Sequence, residues 1–136
     1  MKVGYALRNV MTREIVTLDA EAVLTEAMQL MVEKDIGSIV VTRGGGMTGI
    51  LTERDVLKKI CFDHECALMK IADVMTTPLV TIDGGVSIGE AADKMGRKKI
   101  RRLLVTEEGK IAGIITERDI LRATLDVFRK LSDAWV

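Results

Sequence analysis

Two stretches of this sequence decide its fold: Gly49–Asp55, with the sequence GILTERD, and Gly113–Asp119, with the sequence GIITERD. In each, a short apolar segment runs into a predicted helix, with threonine at the N-cap position and aspartate three residues later. The copies are 64 residues apart, and segments 9–57 and 73–121 align at that offset with 21 identities in 49 positions and no gap. A match that keeps register over this span indicates a tandem duplication.

Both repeats show the same order of predicted elements, β-α-β-β-α. An extended segment (Ile15–Leu18 or Leu79–Ile82) comes first, and an aspartate that suits a turn or a helix start follows it. A helix follows, then a hairpin with strands at 38–41 and 49–51 (103–105 and 113–115 in repeat 2), and a closing helix at roughly 53–62 (117–131 in repeat 2) completes each repeat. Neither repeat is long enough to bury a good core alone, so we expect an α/β (α+β) fold around one shared interior. The predicted organisation is repeat 1 at residues 8–62, a connector at 63–72, repeat 2 at 73–125 and a C-terminal helix extension at 126–136.

The composition narrows the class of protein. Twenty basic and twenty acidic side chains cancel, which disfavours a nucleic-acid binder. No apolar run approaches the ~18 residues that cross a bilayer, so we expect no membrane span. Two cysteines form no disulfide framework, which predicts a reducing cytoplasm. Cys61, His64 and Cys66 lack the partners of a catalytic or structural zinc site, so we expect neither an enzyme nor a metal protein.

The repeated Thr-x-x-Asp motif allows two interpretations. Thr52 with Asp55, and Thr116 with Asp119, suit a helix cap, in which side-chain oxygens accept from the free N–H groups of the first turn. The same geometry suits a ligand, because a helix N-terminus binds phosphate and a carboxylate accepts both hydroxyls of a ribose. A duplication copies caps and sites alike, so spacing alone leaves both interpretations open.

The combined motifs resemble the cystathionine-β-synthase (CBS) domain. The resemblance covers about residues 8–125 and is carried by VMT at 74–76, VTID at 80–83, IRRLLV at 100–105 and GIITERDI at 113–120, with their counterparts in repeat 1. It implies a stand-alone pair of repeats with a pseudo-two-fold axis and two clefts between the repeats. Proteins of this kind commonly bind adenine nucleotides or S-adenosylmethionine, regulate a partner and dimerise into a flat disc.

The resemblance also implies which residues line the clefts. The cleft headed by Asp119 would be lined by Thr116, Arg118, Asp119, Thr12, Ile15, Val16, Ile36 and Gly37, with Arg101 and Arg102 as phosphate contacts. The cleft headed by Asp55 would be lined by Thr52, Arg54, Asp55, Thr76, Leu79, Val80, Ile100 and Arg101. Repeat 2 has two arginines where repeat 1 has glycine and serine. Because arginine holds phosphate with forked donors, we expect the Asp119 cleft to bind phosphate better.

Two further features of repeat 2 point to partners. Six of the twenty basic residues lie within positions 94–102, where they suit a helix C-terminus, a phosphate or an acidic partner. An apolar stripe at helical spacing ends the chain: Leu121, Leu125, Phe128, Leu131 and Trp135. Uncovered, it would expose a sizeable apolar patch, so we expect it to pack on the module or on a second copy in a homodimer.

The residues and the resemblance together favour a regulatory module that senses an adenosine-containing ligand. AMP, ADP, ATP and S-adenosylmethionine are the candidates, no further cofactor is required, and a protein partner would receive the signal. The alternative is a non-catalytic scaffold whose clefts stay empty and whose helices or basic residues dock a protein or RNA.

Overall fold

The computed structural model describes residues 6–63 and 65–134, and the chain divides into two compact units. Among the described residues, those between 15 and 79 form the first unit, and residues 6–14 together with 80–134 form the second. Each unit contains one three-stranded sheet and two helices. The α+β class predicted from the repeats is confirmed.

The helices and strands follow the duplication closely. The first unit contains β1 (Thr17–Asp19), α1 (Leu24–Lys34), β2 (Ser38–Arg43), β3 (Gly46–Thr52) and α2 (Glu53–Phe62), with 3-10 turns at Cys66–Leu68 and Ile71–Asp73. The second unit contains a 3-10 turn at Leu7–Asn9, then β4 (Thr81–Asp83), α3 (Ile88–Lys98), β5 (Arg102–Glu107), β6 (Lys110–Thr116) and α4 (Glu117–Ala134).

The two sheets share one topology. In each, a short first strand pairs parallel to the central strand, which pairs antiparallel to the third strand. The central strands are apolar and buried at residues 39–41 and 103–105. Both hairpins close on two residues with positive φ, Gly44-Gly45 in one and Glu108-Gly109 in the other. Such a pair matches the twist of the flanking strands, so each turn needs only two residues.

Some boundaries differ from the predicted ones. β1 and β4 begin two residues later than predicted, because Val16 and Val80 reach the central strands only through their carbonyls, which accept from Val40 N and Leu104 N. The hairpin strands are longer than predicted because their turns are so short, and α4 continues to Ala134. Asp19 belongs to a turn, where its carboxylate accepts from Glu21 N at 2.9 Å.

Each unit has an apolar core of its own. Helix residues such as Leu24 and Ala27 pack with the buried central strand in the first unit. Ala91 and Met95 do the same in the second unit. Each core is completed by a segment that lies outside the β-α-β-β-α body of its own repeat.

These completing segments are exchanged between the sequence repeats. Residues 6–12, at the start of repeat 1, pack on the second unit, where Leu7 is fully buried and Met11 nearly so. Residues 70–76 pack on the first unit, where Ile71 is fully buried. We call them the exchanged segments. The compact units therefore cut across the repeat boundaries at 8–62 and 73–125, and the 63–72 connector contributes Cys66 and Ile71 to the core of the first unit.

The apolar stripe of α4 stays exposed within the chain. The exposed fractions are 61% for Leu121, 46% for Leu125 and 63% for Phe128. Of the two predicted alternatives, packing on the module does not hold for these three residues, while packing on a second copy stays a prediction. Trp135 lies outside the described residues. Among the helices of the described residues, none is both long and apolar enough to cross a membrane.

Candidate functional site

The start of α2 is closed by a reciprocal cap. Thr52 Oγ1 accepts from Asp55 N at 3.2 Å, and Asp55 Oδ2 accepts from Thr52 N at 3.0 Å. Because β3 runs into α2 without a loop residue, the cap is held by the sheet itself. The cap interpretation of the Thr-x-x-Asp motif is therefore correct for this copy, and it leaves Asp55 Oδ1 outside the cap.

The start of α4 has the same geometry. Thr116 Oγ1 accepts from Asp119 N at 3.2 Å, and Asp119 Oδ2 accepts from Thr116 N at 2.9 Å. Both side chains are half-buried. The cap uses Oδ2 of the carboxylate and leaves Oδ1 outside the cap, where it can accept from a ligand hydroxyl.

An exchanged segment lies against each helix start. In the second unit, Thr12 forms an antiparallel bridge with Ile114, with both N–H···O distances at 2.9 Å. In the first unit, Thr76 forms the same bridge with Ile50, at 2.8 and 3.0 Å. The threonine of each VMT motif therefore pairs with the isoleucine that lies two residues before the threonine of the Thr-x-x-Asp motif. Thr12 and Thr76 are both exposed.

The close approach of the exchanged segments depends on two glycines that the sequence analysis did not assign to the site. A Cβ on Gly49 would lie 2.7 Å from Met75 Sδ and 3.0 Å from Thr76 O. A Cβ on Gly113 would lie 2.6 Å from Met11 Sδ and 2.8 Å from Thr12 O. Their identity in both repeats was the available signal, and it marks the backbone contact that seats each threonine.

The two helix starts differ in one hydrogen bond. Thr76 Oγ1 donates to Asp55 Oδ1 at 3.1 Å in the first unit. In the part of the chain that the structure describes, Thr12 makes no side-chain bond to Asp119, and Asp119 Oδ1 accepts none. The second unit therefore offers an open carboxylate oxygen where the first unit has an occupied one.

The residue before the central strand also adjoins each helix start. Glu53 N donates to Gly37 O, and Glu117 N donates to Arg101 O, both at 3.0 Å. The guanidinium of Arg101 lies 3.8 Å from the Glu117 carboxylate and is 72% exposed, so it remains available to solvent. The start of α4 therefore has a cation beside it that the start of α2 lacks.

The other predicted residues fall into both units. Ile36 and Ile100 are half-buried and pack on the cores of their own units. Arg54 and Arg118 are exposed on the first turns of their helices. Within the first unit, the structure brings together Gly37, Thr52, Asp55 and Thr76, while Val16 bonds to Val40 of the central strand. Within the second unit, it brings together Thr12, Arg101, Arg102, Thr116 and Asp119, while Val80 bonds to Leu104 of the central strand. Ile15 and Leu79 are half-buried and belong to the first unit.

The basic residues at 94–102 have different environments. Lys94 Nζ donates to Thr81 O at 2.6 Å, and Arg97 Nε donates to Asp93 at 2.8 Å. Lys98, Lys99 and Arg101 are exposed. Only part of the cluster is therefore near the helix start, while the rest faces solvent at the end of α3.

A cavity of about 510 Å³ lies at the hairpin end of the second unit's sheet, away from the helix starts. Arg8, Asp83, Glu107, Glu108, Lys110 and Ala112 line it, and an Arg8–Glu107 ion pair of 3.0 Å bridges it. None of the predicted site residues lines this cavity. No group of three potential metal ligands occurs among the described residues, which do not include His64.

One family model matches this chain twice. The family model described as "CBS domain" matches residues 7–61 and again residues 71–126. The chain is 27% identical over 115 residues to the CBS domain-containing protein YhcV of Bacillus subtilis, covering 85% of this chain and 82% of that protein. It spans 42% and 58% of the length of two further curated relatives.

Solved structures show the same fold. The CBS-domain protein ATU1752 from Agrobacterium tumefaciens has a TM-score of 0.84 and 26% identity, covering 91% of this chain and 98% of that chain. The CBS domain pair of protein MJ0100, solved in complex with 5′-methylthioadenosine and S-adenosyl-L-methionine, has a TM-score of 0.77 and 21% identity, covering 88% and 94%. The second likeness shows the fold alone.

Proposed function

This chain belongs to the CBS-domain family, and from that premise we propose that it is a non-catalytic regulatory module that senses an adenosine-containing ligand. AMP, ADP, ATP and S-adenosylmethionine are the candidate ligands, and no other cofactor is needed. The family membership supports a regulatory role, and the helix starts supply groups that suit a ribose and a phosphate.

The start of α4 is the observation that carries the proposal. Asp119 Oδ1 accepts no hydrogen bond within the described residues, so it is available to a ribose diol. Glu117 N and Asp119 N already donate to Arg101 O and Thr116 Oγ1, so the positive end of the helix dipole is what favours a phosphate at the same place. Arg101, which adjoins this turn, adds a charged donor. A sugar and a phosphate can therefore both be held within one turn of helix.

The start of α2 is proposed to be the weaker site. Asp55 Oδ1 already accepts from Thr76, so a ribose hydroxyl has to compete for it. Gly37 stands where the other unit has Arg101 and supplies no charge. We therefore expect a phosphorylated ligand to occupy the second unit first and the first unit only at higher concentration.

The exchanged segments offer a route from binding to regulation. Thr12 lies on the second unit and is five residues before β1 of the first unit. Thr76 lies on the first unit and is five residues before β4 of the second. A ligand that holds the threonine on its helix start would restrain the short chain segment that leads into the other unit. A partner protein that recognises this chain segment would then read the ligand's presence.

The module is also proposed to work as a homodimer in the cytoplasm. The exposed apolar stripe of α4 supplies a surface for a second copy. The cysteine usage supports the cytoplasm, because neither cysteine belongs to a disulfide framework in the sequence.

A thermal melt with a matched pair of variants tests the ligand proposal. AMP, ADP, ATP and S-adenosylmethionine would each be added near millimolar concentration. A ligand at 100 times its Kd stabilises by roughly 2.7 kcal/mol, which raises the Tm by several degrees. Asp119→Ala should abolish the shift, and Asp55→Ala, which removes the equivalent cap, should retain most of it.

Two results would contradict the proposal. Equal loss of the shift in both variants would remove the ranking of the two sites. A wild-type chain whose melt no adenosine compound moves would favour the scaffold with empty clefts, and a search for a protein or RNA partner would then follow.

A further inference from the structure

The two repeats have opposite charges at two equivalent positions. Glu33 and Asp35 lie at the C-terminal end of α1, and Arg97 and Lys99 lie 64 residues later at the C-terminal end of α3. All four side chains are exposed. The backbone is the same at both ends, since Asp35 and Lys99 have φ values of 52° and 55°. The equivalent residues between them, Lys34 and Lys98, are exposed cations at both ends, so the end of α1 has a net charge of −1 and the end of α3 has +3.

Most of these charged side chains have no partner among the described residues. Among the described residues, the side chains of Glu33, Asp35 and Lys99 have no ion pair or hydrogen bond. Arg97 pairs with Asp93 on its own helix at 2.8 Å, and both side chains remain about two-thirds exposed. Lys98 adds a further exposed cation beside Arg97. Both helix ends can therefore contact another molecule without breaking a buried interaction.

Each charged end lies beside the start of a helix with an exposed apolar face. The chain leaves α1 and places Gly37 O against Glu53 N, at the start of α2. It leaves α3 and places Arg101 O against Glu117 N, at the start of α4. The exposed apolar residues that follow are Leu57, Ile60 and Phe62 on α2, and Leu121, Leu125 and Phe128 on α4. Each unit therefore combines an apolar face with a charge of its own sign.

We infer that a second copy of this chain docks in unlike pairing, so that the acidic end of α1 in one copy faces the basic end of α3 in its partner. The inference rests on the proposed self-association and not on ligand binding. The apolar helix faces supply the buried area, and the charges decide which unit of one copy meets which unit of the other. Complementary charges typically set register and orientation in this way.

The same residues disfavour like pairing, in which each unit of one copy meets the same unit of its partner. If two second units met, the Arg97–Lys99 ends would face each other and place six cations at one contact. Like charges across an interface oppose association and are a common device for rejecting a wrong arrangement. Unlike pairing replaces both repulsive contacts by attractive ones.

The shapes of the two helix ends fit this arrangement. Val32 on α1 is 81% exposed. Its equivalent on α3 is Gly96, where an added Cβ would meet nothing within 4 Å. An unlike contact sets a projecting side chain opposite a residue that has none, whereas a like contact sets valine against valine.

Exchange of the charged residues between the repeats tests the inference. One variant is Glu33→Arg with Asp35→Lys, and the other is Arg97→Glu with Lys99→Asp, so each position receives the residue its equivalent already holds. The dimer Kd would be measured by analytical ultracentrifugation at 50 mM and 1 M NaCl. Each variant alone should dimerise about tenfold more weakly than wild type at low salt. An equimolar mixture of the two should recover wild-type affinity, because both of its contacts are complementary.

Other outcomes would overturn the inference. Like pairing predicts instead that neither variant alone dimerises more weakly than wild type and that their equimolar mixture dimerises more tightly than wild type, because only the mixture then has complementary contacts. Unchanged self-association in both variants, or a wild-type chain that stays monomeric, would also refute it. The ligand-induced Tm shift separates the two proposals, because none of these four residues belongs to the proposed ligand site and the shift should persist in both variants.

Discussion

Thr76 Oγ1 donates to Asp55 Oδ1 at 3.1 Å, whereas the equivalent Thr12 makes no bond to Asp119 in the described chain. The two helix starts have the same four residues, Thr-Glu-Arg-Asp, and the same reciprocal cap. Their difference therefore comes from how the exchanged segment meets the carboxylate. This single bond makes two copies of one motif chemically distinct.

A double-mutant cycle should detect that bond. Asp55→Ala and Thr76→Val each remove one partner, and their effects on the free energy of unfolding should be coupled by about 0.5–1 kcal/mol, since the bond is exposed. The control cycle, Asp119→Ala with Thr12→Val, should be additive. Urea unfolding of the ligand-free chain measures both cycles. Equal coupling in the two cycles would show that the difference between the units is absent in solution.

The motif glycines should be intolerant of a side chain. Gly49→Ala places a Cβ against Met75 and the Thr76 carbonyl, and Gly113→Ala does the same against Met11 and Thr12. Backbone cannot yield as a flexible side chain does, so each change should lower the free energy of unfolding by about 1–3 kcal/mol. Gly96→Ala is the matched control. It lies in α3 with open space around it and should stabilise the chain by about 0.5–1 kcal/mol. Destabilisation by Gly96→Ala equal to that by Gly49→Ala would contradict the close-approach argument.

The exchanged segments predict which unit loses hydrogen-exchange protection when one of their buried residues is truncated. Leu7 is fully buried in the core of the second unit, although it precedes repeat 1 in sequence. Leu7→Ala should cost about 2–5 kcal/mol, and native-state hydrogen exchange should show lost protection in β5 and β6. Protection lost first in β2 and β3 would mean that the segment packs on its own repeat. Leu68→Ala is the control, because Leu68 is 79% exposed and its truncation should change protection little.

Much of the fold was predictable because the duplication shows the same order of apolar and capping residues twice. The span of α2, the hairpin positions and the Thr-x-x-Asp caps follow from local rules of periodicity and capping. The exchanged segments were not predictable from those rules. Leu7 and Ile71 lie in short 3-10 turns, too brief for any periodic signal, and their burial depends on contacts far away in sequence.

The sequence predicted which residue types lie at the two helix starts, but it did not predict every difference between the two starts. Thr116 and Asp119 were identified from spacing, and the charge difference at Arg101 could be read directly from the sequence. The Thr76–Asp55 bond could not, because Thr12 and Thr76 are identical residues in identical motifs. Only the placement of each exchanged segment against its helix start separates them.

The ion pair that fastens the connector to the first unit should be visible in a titration. Lys70 Nζ lies 2.6 Å from Glu21 Oε2. The hydrogen bond and the charge of Glu21 raise the pKa of Lys70, with Asp73 adding to the rise, while slight burial and Arg43 oppose it. The sign follows from linkage. A raised folded-state pKa means that the stabilisation is full below the unfolded pKa of about 10.4 and is lost as the pH rises through the folded value.

The titration of Lys70 can be followed by NMR of its side-chain methylene groups. Its pKa should lie above the ordinary lysine value in the wild type and fall toward that value in Glu21→Gln. Glu26→Gln is the control, since Glu26 is an exposed carboxylate of α1 that does not act on Lys70. A Lys70 pKa that is unchanged by Glu21→Gln would show that the pair does not form in solution and that the connector is held by Ile71 and its backbone bonds alone.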